Sequence, residues 1–455
     1  MNSKNTSLYK EHGTVYTDPV SGKFNIIRLT SMSFMILSFF ILPWFFWGDN
    51  QAFLFDIATA RLYVCGLVFW PEDFSLFAIF FIILVLLLFA ATVYAGRIWC
   101  GFLCPQSIWL KVGAFLSRII EGKRNTRKKL DEGKFTFNFF LKKLCKHVLW
   151  FSFSFFTAFT FVGYFVPISF LFDRLYFFDF SSWSYFWILF FSLLTYFNIG
   201  WFREQFCFLV CPYARLQSVM FDENTLIVVY DRNRGEKRGS RKRGIEYKNF
   251  GLGDCIDCKK CVTCCPTGID IRNGLQMECI SCAACIDACN SVMNRMGYKS
   301  GLIRYMRENE LINKVKNFGK VRLISYIVVL FLLFSLFNYG LFDRKLIQFS
   351  VSKSQLQLFN IDKNNLVENT YVLKITNKTK IKNSYNILVD DSRFKYIGID
   401  KIILDGEDTI LIDIKLLLTN VSYKSRFIEV FFKIQSSDDS KNYIIKKSQF
   451  VMPGL

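Results

Sequence analysis

Cys255-Ile-Asp-Cys258-Lys-Lys-Cys261-Val-Thr-Cys-Cys265-Pro266 and, after a short spacer, Cys279-Ile-Ser-Cys282-Ala-Ala-Cys285-Ile-Asp-Ala-Cys289 decide how this chain is read. Each run has the spacing C-x2-C-x2-C-x3-C. A [4Fe–4S] cubane needs four thiolates converging on one inorganic core. Three come from a tight loop, and the fourth comes from the partner run, because the last cysteine of each run ligates the other cluster. The assignment is therefore Cys255, Cys258, Cys261 and Cys289 to one cluster, and Cys279, Cys282, Cys285 and Cys265 to the other. Two clusters this close form a relay for single electrons. Paired structural zinc sites are the competing reading, but they seldom take this spacing. With only two histidines in the chain, no mixed Cys/His site competes. Cys264 is a ninth cysteine, read as a bystander beside Cys265.

Outward from these runs, composition points to a membrane. The chain has 455 residues, too many for one ordinary domain. Hydrophobic residues make up 52%, with 53 phenylalanines, more than a soluble domain carries. The formal net charge is +20, but the basic residues flank apolar runs. Membrane topology explains them better than a nucleic-acid partner, and none is expected. The fifteen cysteines lie mostly in metal-type spacings, which implies a reducing compartment. Residues Met1 to Phe24 are polar and mixed in charge, unlike a signal peptide.

Five apolar runs approach the roughly 20 residues that cross a bilayer: Leu29–Trp47, Phe74–Ala95, Val148–Phe170, Trp183–Gly200 and Leu323–Gly340. The loop between the second and third carries Arg118, Lys123, Arg124, Arg127, Lys128, Lys129, Lys134, Lys142, Lys143 and Lys146. The loops after the first and third offer only Arg61 and Arg174. The positive-inside rule then places the N-terminus, the 96–147 loop and the cysteine runs in the cytoplasm, and the C-terminus outside. Trp44, Trp47 and Trp70 fit one interfacial belt; Trp99, Trp109 and Trp201 fit the other. Beyond Gly340, alternating stretches at Tyr371–Ile375, Lys401–Leu404, Ile410–Leu418 and Phe427–Ile434 read as an antiparallel β-sandwich. Turn signals between them include Ser436-Ser-Asp-Asp-Ser440.

The expected fold is thus a multi-domain membrane protein: a helical transmembrane bundle of about five spans, a cytoplasmic 2[4Fe–4S] ferredoxin-like module and a C-terminal sandwich. The expected divisions are an N-terminal segment 1–28, a four-span domain 29–220, the cluster domain 221–322, a fifth helix 323–340 and the sandwich 341–455.

Two further cysteine pairs stand at the ends of the second and fourth spans: Cys100-Gly-Phe-Leu-Cys104-Pro105 and Cys207-Phe-Leu-Val-Cys211-Pro212. Both are C-x3-C-P, preceded by Arg97 and Arg203. On a helix, positions i and i+4 share one face, so two thiolates there can grip one soft ion. Copper(I) suits such a site, because thiolates select it and it accepts two or three ligands. The proline is expected to break the helix, and the arginines to lower the thiol pKa values. Buried packing cysteines are the bland alternative. A single site binding zinc, copper or a third cluster through Cys100, Cys104, Cys207 and Cys211 is a further one. Cys65 and Cys145 have no partner at useful spacing. His147 is read as an interfacial anchor.

These parts, in this order, resemble the cytochrome c oxidase accessory protein family CcoG, also called FixG or RdxA. The resemblance rests on Phe69-Trp-Pro-Glu-Asp73, on Gly96–Gln106 and Arg203–Arg215 around the two pairs, and on Tyr230–Gly239. It continues through Pro266–Gln276 and Glu278–Cys289. Asn290 is a departure, where the family often has an acid. The resemblance implies a multi-pass protein of the bacterial inner membrane with a periplasmic immunoglobulin-like sandwich. It implies reduction of Cu(II) to Cu(I) at Cys100, Cys104, Cys207 and Cys211, so that copper chaperones can load cbb3-type cytochrome oxidase. Its implied partners are membrane lipid, oxidase assembly factors and copper chaperones; the electron donor is not named by it. Two other readings stand beside it: a quinol dehydrogenase-like electron carrier, and a non-enzymatic oxidase assembly scaffold.

Overall fold

The computed structural model describes residues 15–48, 50–177, 179, 183–222, 224–244, 246–307, 318–354, 358–361, 366–389, 391–419, 426–437 and 443–453. The expected N-terminal segment as far as residue 14, and the end of the turn at 438–440, lie outside them. The chain divides into two compact units, Met1–Phe337 and Asn338–Leu455.

Five helical segments of the described residues are long and apolar enough to cross a membrane: Lys23–Trp44, Pro71–Ala95, Phe137–Val162, Trp183–Phe202 and Val321–Phe342. The helices within the first four are α1 (Lys23–Ile41), α2 (Phe74–Ala95), α6 (Phe137–Val162) and α8 (Trp183–Phe197). Between them lie α3 (Ile98–Phe102), α4 (Pro105–Glu121), α5 (Arg124–Glu132) and α7 (Ile168–Tyr176). Helix α2 contains no charged residue, and Phe81, Ile82, Val85 and Leu87 lie open on its surface. Such a surface is tolerable only against lipid.

The third span differs from its expected position. Helix α6 starts at Phe137 rather than Val148 and ends at Val162, before Gly163 and Pro167. Lys142, Lys143 and Lys146, expected in a loop, are inside it. The helix continues through them because two carboxylates answer two of them: Glu121 Oε1 at the end of α4 lies 2.7 Å from Lys143 Nζ and 2.8 Å from Lys146 Nζ, and Asp131 Oδ1 lies 2.5 Å from Lys143 Nζ. Arg127 Nε approaches the other oxygen of Glu121 at 3.4 Å. The tryptophan belt also differs in part. Trp70 is buried, with the Arg61 guanidinium 4.1 Å above its ring.

The cysteine runs are clasped by strand Ile227–Tyr230, which pairs antiparallel with Ile303–Met306. Val228, Tyr230, Ile271, Ile286, Val292 and Ile303 bury around them. This module is not a separate body. Thr225 Oγ1 donates to Val93 O at 3.2 Å, and Leu226 N to Tyr94 O at 3.1 Å, both carbonyls at the end of α2. The N-terminus of α1 is held likewise. Phe24 N and Asn25 N donate to the Asp287 carboxylate at 3.3 and 2.7 Å. A helix start has unpartnered N–H groups and favours a negative charge, so Asp287 serves both needs.

The second unit is an antiparallel sandwich. One sheet runs Phe394–Ile397, Thr409–Leu418, Val367–Asn377, Ile347–Lys353; the other runs Lys401–Leu404, Asn383–Val389, Phe427–Ser436, Tyr443–Val451. Alternate residues of the central strands, among them Leu373, Ile375, Ile414, Leu416, Val430 and Phe432, fill the core between the sheets.

Candidate functional site

Each cysteine run folds into the same local shape. In the first, Asp257 and Lys259 have φ of 53° and 54°; in the second, the equivalent Ser281 and Ala283 have 51° and 58°. Side-chain-bearing residues avoid this left-handed region. Alternation of left- and right-handed residues turns successive N–H groups toward one concavity, which suits an anionic core. Cys255, Cys258, Cys261 and Cys289 line one such concavity, with Tyr230, Arg272 and Ile303 on its walls. Cys265, Cys279, Cys282 and Cys285 line a second, with Val228, Thr267 and Ile269. Cys261 borders both. Cys264 lines neither; its thiol is buried and donates weakly to Cys261 O at 3.5 Å.

Among the described residues, no three histidine, cysteine or acidic side chains converge as a single metal ion requires. Four thiols spread around each hollow fit a multi-atom cubane better than one zinc ion. Burial pushes the Cys261, Cys279 and Cys289 thiols up to about 12, so an apolar shell surrounds sulfurs that need metal charge to ionise. Polar contacts are few and placed. Thr267 Oγ1 lies 3.2 Å from Cys265 Sγ. Arg272, itself buried, is fixed by Asp270 at 2.6 Å and by Asp257 at 2.5 Å.

The two C-x3-C-P motifs also repeat structurally, but not as one helix each. Cys100 lies in α3, and Cys104 is the extended residue before Pro105, which starts α4. Cys207 lies in a π-helical turn, Phe206–Val210. Cys211 is the extended residue before Pro212, which starts helix α9 (Pro212–Met220). The helix breaks before each proline, as expected, and proline, which has no N–H to lose at a first helical position, starts the next one. The shared-face geometry anticipated from i, i+4 spacing is therefore absent.

The motifs nevertheless lie near each other: Cys104, Cys207, Cys211 and Arg97 all act electrostatically on the Cys100 thiol, although among the described residues no three of these thiols converge as one ion requires. Cys100 Sγ also lies 3.4 Å from Oε1 of the buried Gln217 on α9. Burial, then the neighbouring thiols, push Cys100 up to about 12, with Arg97 opposing; burial, then Cys104, Cys211 and Glu204, push Cys207 up to about 12. The expected lowering by arginine is thus outweighed. The two arginines are not equivalent either. Arg97 is 4% exposed and donates to Ala214 O at 2.5 Å and to Met277 O. Arg203 has φ 46° and donates to its own turn, at Gly200 O, at 3.1 Å.

One contact joins the two cysteine sets. Gly101, inside the first C-x3-C-P, packs on the second cluster loop: a Cβ there would stand 2.7 Å from Ile280 O and 2.9 Å from Cys282 Cα. Only glycine permits this approach. Arg97 also holds the chain entering that loop, by its bond to Met277 O. Sequence reasoning missed Gly101, Asp287 and Gln217. The residues Gly101 and Asp287 stood within quoted motifs, so their position carried the signal, but their partners did not. Cys65 and Cys145 are exposed and lie outside these sites, and His147 Nδ1 pairs with Tyr196 OH at 2.9 Å.

Residues 202–308 match a family described as a 4Fe-4S dicluster domain, and residues 77–124 one described as a 4Fe-4S binding domain. Residues 337–453 match one described as the IG-like fold at the C-terminal of FixG. The chain is 32% identical over 303 residues to the nitrogen fixation protein FixG of Rhizobium meliloti, covering 66% of this chain and 58% of FixG. It is 34% identical over 401 residues to protein RdxB of Cereibacter sphaeroides, covering 85% of this chain and 84% of RdxB. Protein RdxA of that organism is 35% identical over 306 residues, covering 66% and 64%. The match therefore spans less than two thirds of the length of FixG and of RdxA. A crystal structure of a FixG-related protein from Vibrio parahaemolyticus aligns at 23% identity with a TM-score of 0.22, over 24% of this chain and 97% of that one.

Proposed function

The chain belongs to the FixG/RdxA family, and from that premise we propose that it is a membrane-bound iron–sulfur oxidoreductase whose substrate is copper. It reduces Cu(II) to Cu(I) for assembly of a cbb3-type cytochrome oxidase, handing the product to copper chaperones. When bound, the two [4Fe–4S] clusters supply electrons one at a time, and one electron converts Cu(II) to Cu(I) with no proton required. The chain's own residues do the rest. Cys100, Cys104, Cys207 and Cys211 offer soft donors that favour the reduced ion. Desolvation pushes the Cys100 and Cys207 thiols up, so copper displaces protons from these two as it binds.

The observation that carries the reading is the contact of Gly101 with the Cys282 backbone. It sets the backbone between the two thiols of the first pair directly against a cluster loop. Cytoplasmic placement of these sites belongs to the proposal and is supported by the excess of Lys and Arg between α4 and α6. After the pairing of Arg127, Lys143 and Lys146 with Glu121, that loop still carries Lys123, Arg124, Lys128, Lys129 and Lys134.

Two variants of anaerobically purified full-length protein test the reading. Cys100→Ser with Cys104→Ser should keep iron and the cluster spectrum but lose copper binding and reduction. Cys258→Ser should lose iron yet still bind copper. Normal copper reduction by the first variant would remove the substrate site. Loss of its iron would mean that the pairs hold a cluster, in favour of the quinol dehydrogenase-like reading.

A further inference from the structure

A cavity of about 360 Å³ lies between α1, α4 and the second cluster loop. Its cluster-side wall includes Cys264, Ile280 and Ala284, each adjacent in sequence to one of the ligands Cys265, Cys279 and Cys285. Opposite stand Arg28 on α1 and Lys111 and Arg118 on α4. These three cations have no ion pair among the described residues. The Lys111 ammonium and the Arg28 Nε are shielded from water with no hydrogen-bond partner. The other cations of the wall are engaged: Arg127 with Glu121, and Arg203 with its own turn. Asp18 and Glu204 are the wall's acids. Neither pairs with the three cations among the described residues, and burial raises the Glu204 carboxyl, which favours its neutral form.

Three half-buried cations that face one cavity of ligand size, with the Lys111 ammonium unpartnered, suit an anion there. We propose that this cavity binds a phosphate-bearing anion through Arg28, Lys111 and Arg118. Phosphate offers more acceptor oxygens than a carboxylate, enough for two guanidinium forks and an ammonium together. Leu29 and Met32 on the same face of α1 and Phe115 on α4 give the cavity an apolar flank beside a membrane span. The anion can come from two sources, an anionic phospholipid headgroup at the membrane boundary or a soluble phosphate.

Full-length, cluster-loaded, delipidated protein in neutral detergent is titrated separately with phosphatidylglycerol and with inorganic phosphate, and binding is read by calorimetry. Wild type should bind at least one of the two. Arg28→Gln and Lys111→Met should each weaken it about tenfold or more, with iron content unchanged. Binding of phosphatidylglycerol alone identifies the lipid source, and binding of inorganic phosphate identifies the soluble one. Lys111→Met should also abolish the rise in melting temperature that ligand gives wild type. The proposal is overturned if wild type binds neither probe, or if both iron-replete variants bind as wild type does.

Discussion

Thr267 and Gly101 show how single residues act on the two sites. The Thr267 hydroxyl, 3.2 Å from Cys265 Sγ, is a hydrogen-bond donor to a cluster sulfur once that sulfur is a ligated thiolate. Such bonds stabilise the more negative, reduced cluster and raise its potential. Thr267→Val should therefore make the midpoint potential of one cluster more negative and leave the other unchanged, as followed by EPR-monitored redox titration. At Gly101 even a methyl group must displace the Ile280 carbonyl or the Cys282 backbone. Gly101→Ala should keep the iron but slow copper reduction about tenfold or more, since a small misplacement is costly where geometry sets the rate. The cysteines themselves were legible in the sequence, because a cubane imposes a spacing that no other common site shares. Gly101 was not, because its meaning lies in a loop nearly 180 residues away. Asp287 was hidden similarly: within the run Cys285-Ile-Asp-Ala-Cys289 nothing announces that its carboxylate caps α1.

Among the elements, α6 depends most on a distant partner. Three lysines near its start would end an apolar helix, yet Glu121 on α4 makes two of them compatible with burial. Burial alone would raise the Glu121 carboxyl, but the hydrogen bonds from Lys143 and Lys146 outweigh it and hold it below the usual range. A depressed carboxylate stabilises the fold above its unfolded pKa, and that stability is lost as pH falls through the lower folded value. Melting temperature should accordingly be flat near neutrality and fall below about pH 4.5, and Glu121→Gln should flatten that acid limb. The same variant leaves Lys146 buried without its carboxylate and should cost about 3 kcal/mol at neutral pH, read by chemical denaturation of the α4–α6 region. Sequence gave the wrong start for this helix because the compensating charge sits on another element. The C-x3-C-P motifs failed for a related reason: i, i+4 spacing assumes an uninterrupted α-helix, whereas Pro105 and Pro212 each start a new one. In the sandwich, the alternating strands were readable, but Asn383–Val389 and Tyr443–Val451 were not, since Asn, Ser and Lys on their outer faces dilute the alternation.

For the whole molecule, composition was a sound guide to a membrane protein, and the five candidate spans lie close to the apolar runs. Sidedness rests on charge alone. A reporter fused after Leu455 should therefore report the outer compartment and one inserted in the 230–250 segment the cytoplasm; the reverse pattern at both sites would contradict the topology. What sequence could not supply is the joining of cluster module and membrane helices into one unit through Arg97, Gly101, Thr225 and Asp287. That junction is what makes electron passage to copper a physical expectation. The most direct measurement is a single turnover: full-length protein, anaerobically reduced and freed of reductant, is mixed with Cu(II) and a Cu(I) chelator. The account predicts that both clusters reoxidise and that about two Cu(I) appear per chain, one for each cluster electron, with neither event in the Cys100→Ser, Cys104→Ser protein that retains its iron. Clusters that stay reduced in the presence of Cu(II), or that reoxidise equally in that variant, would contradict it.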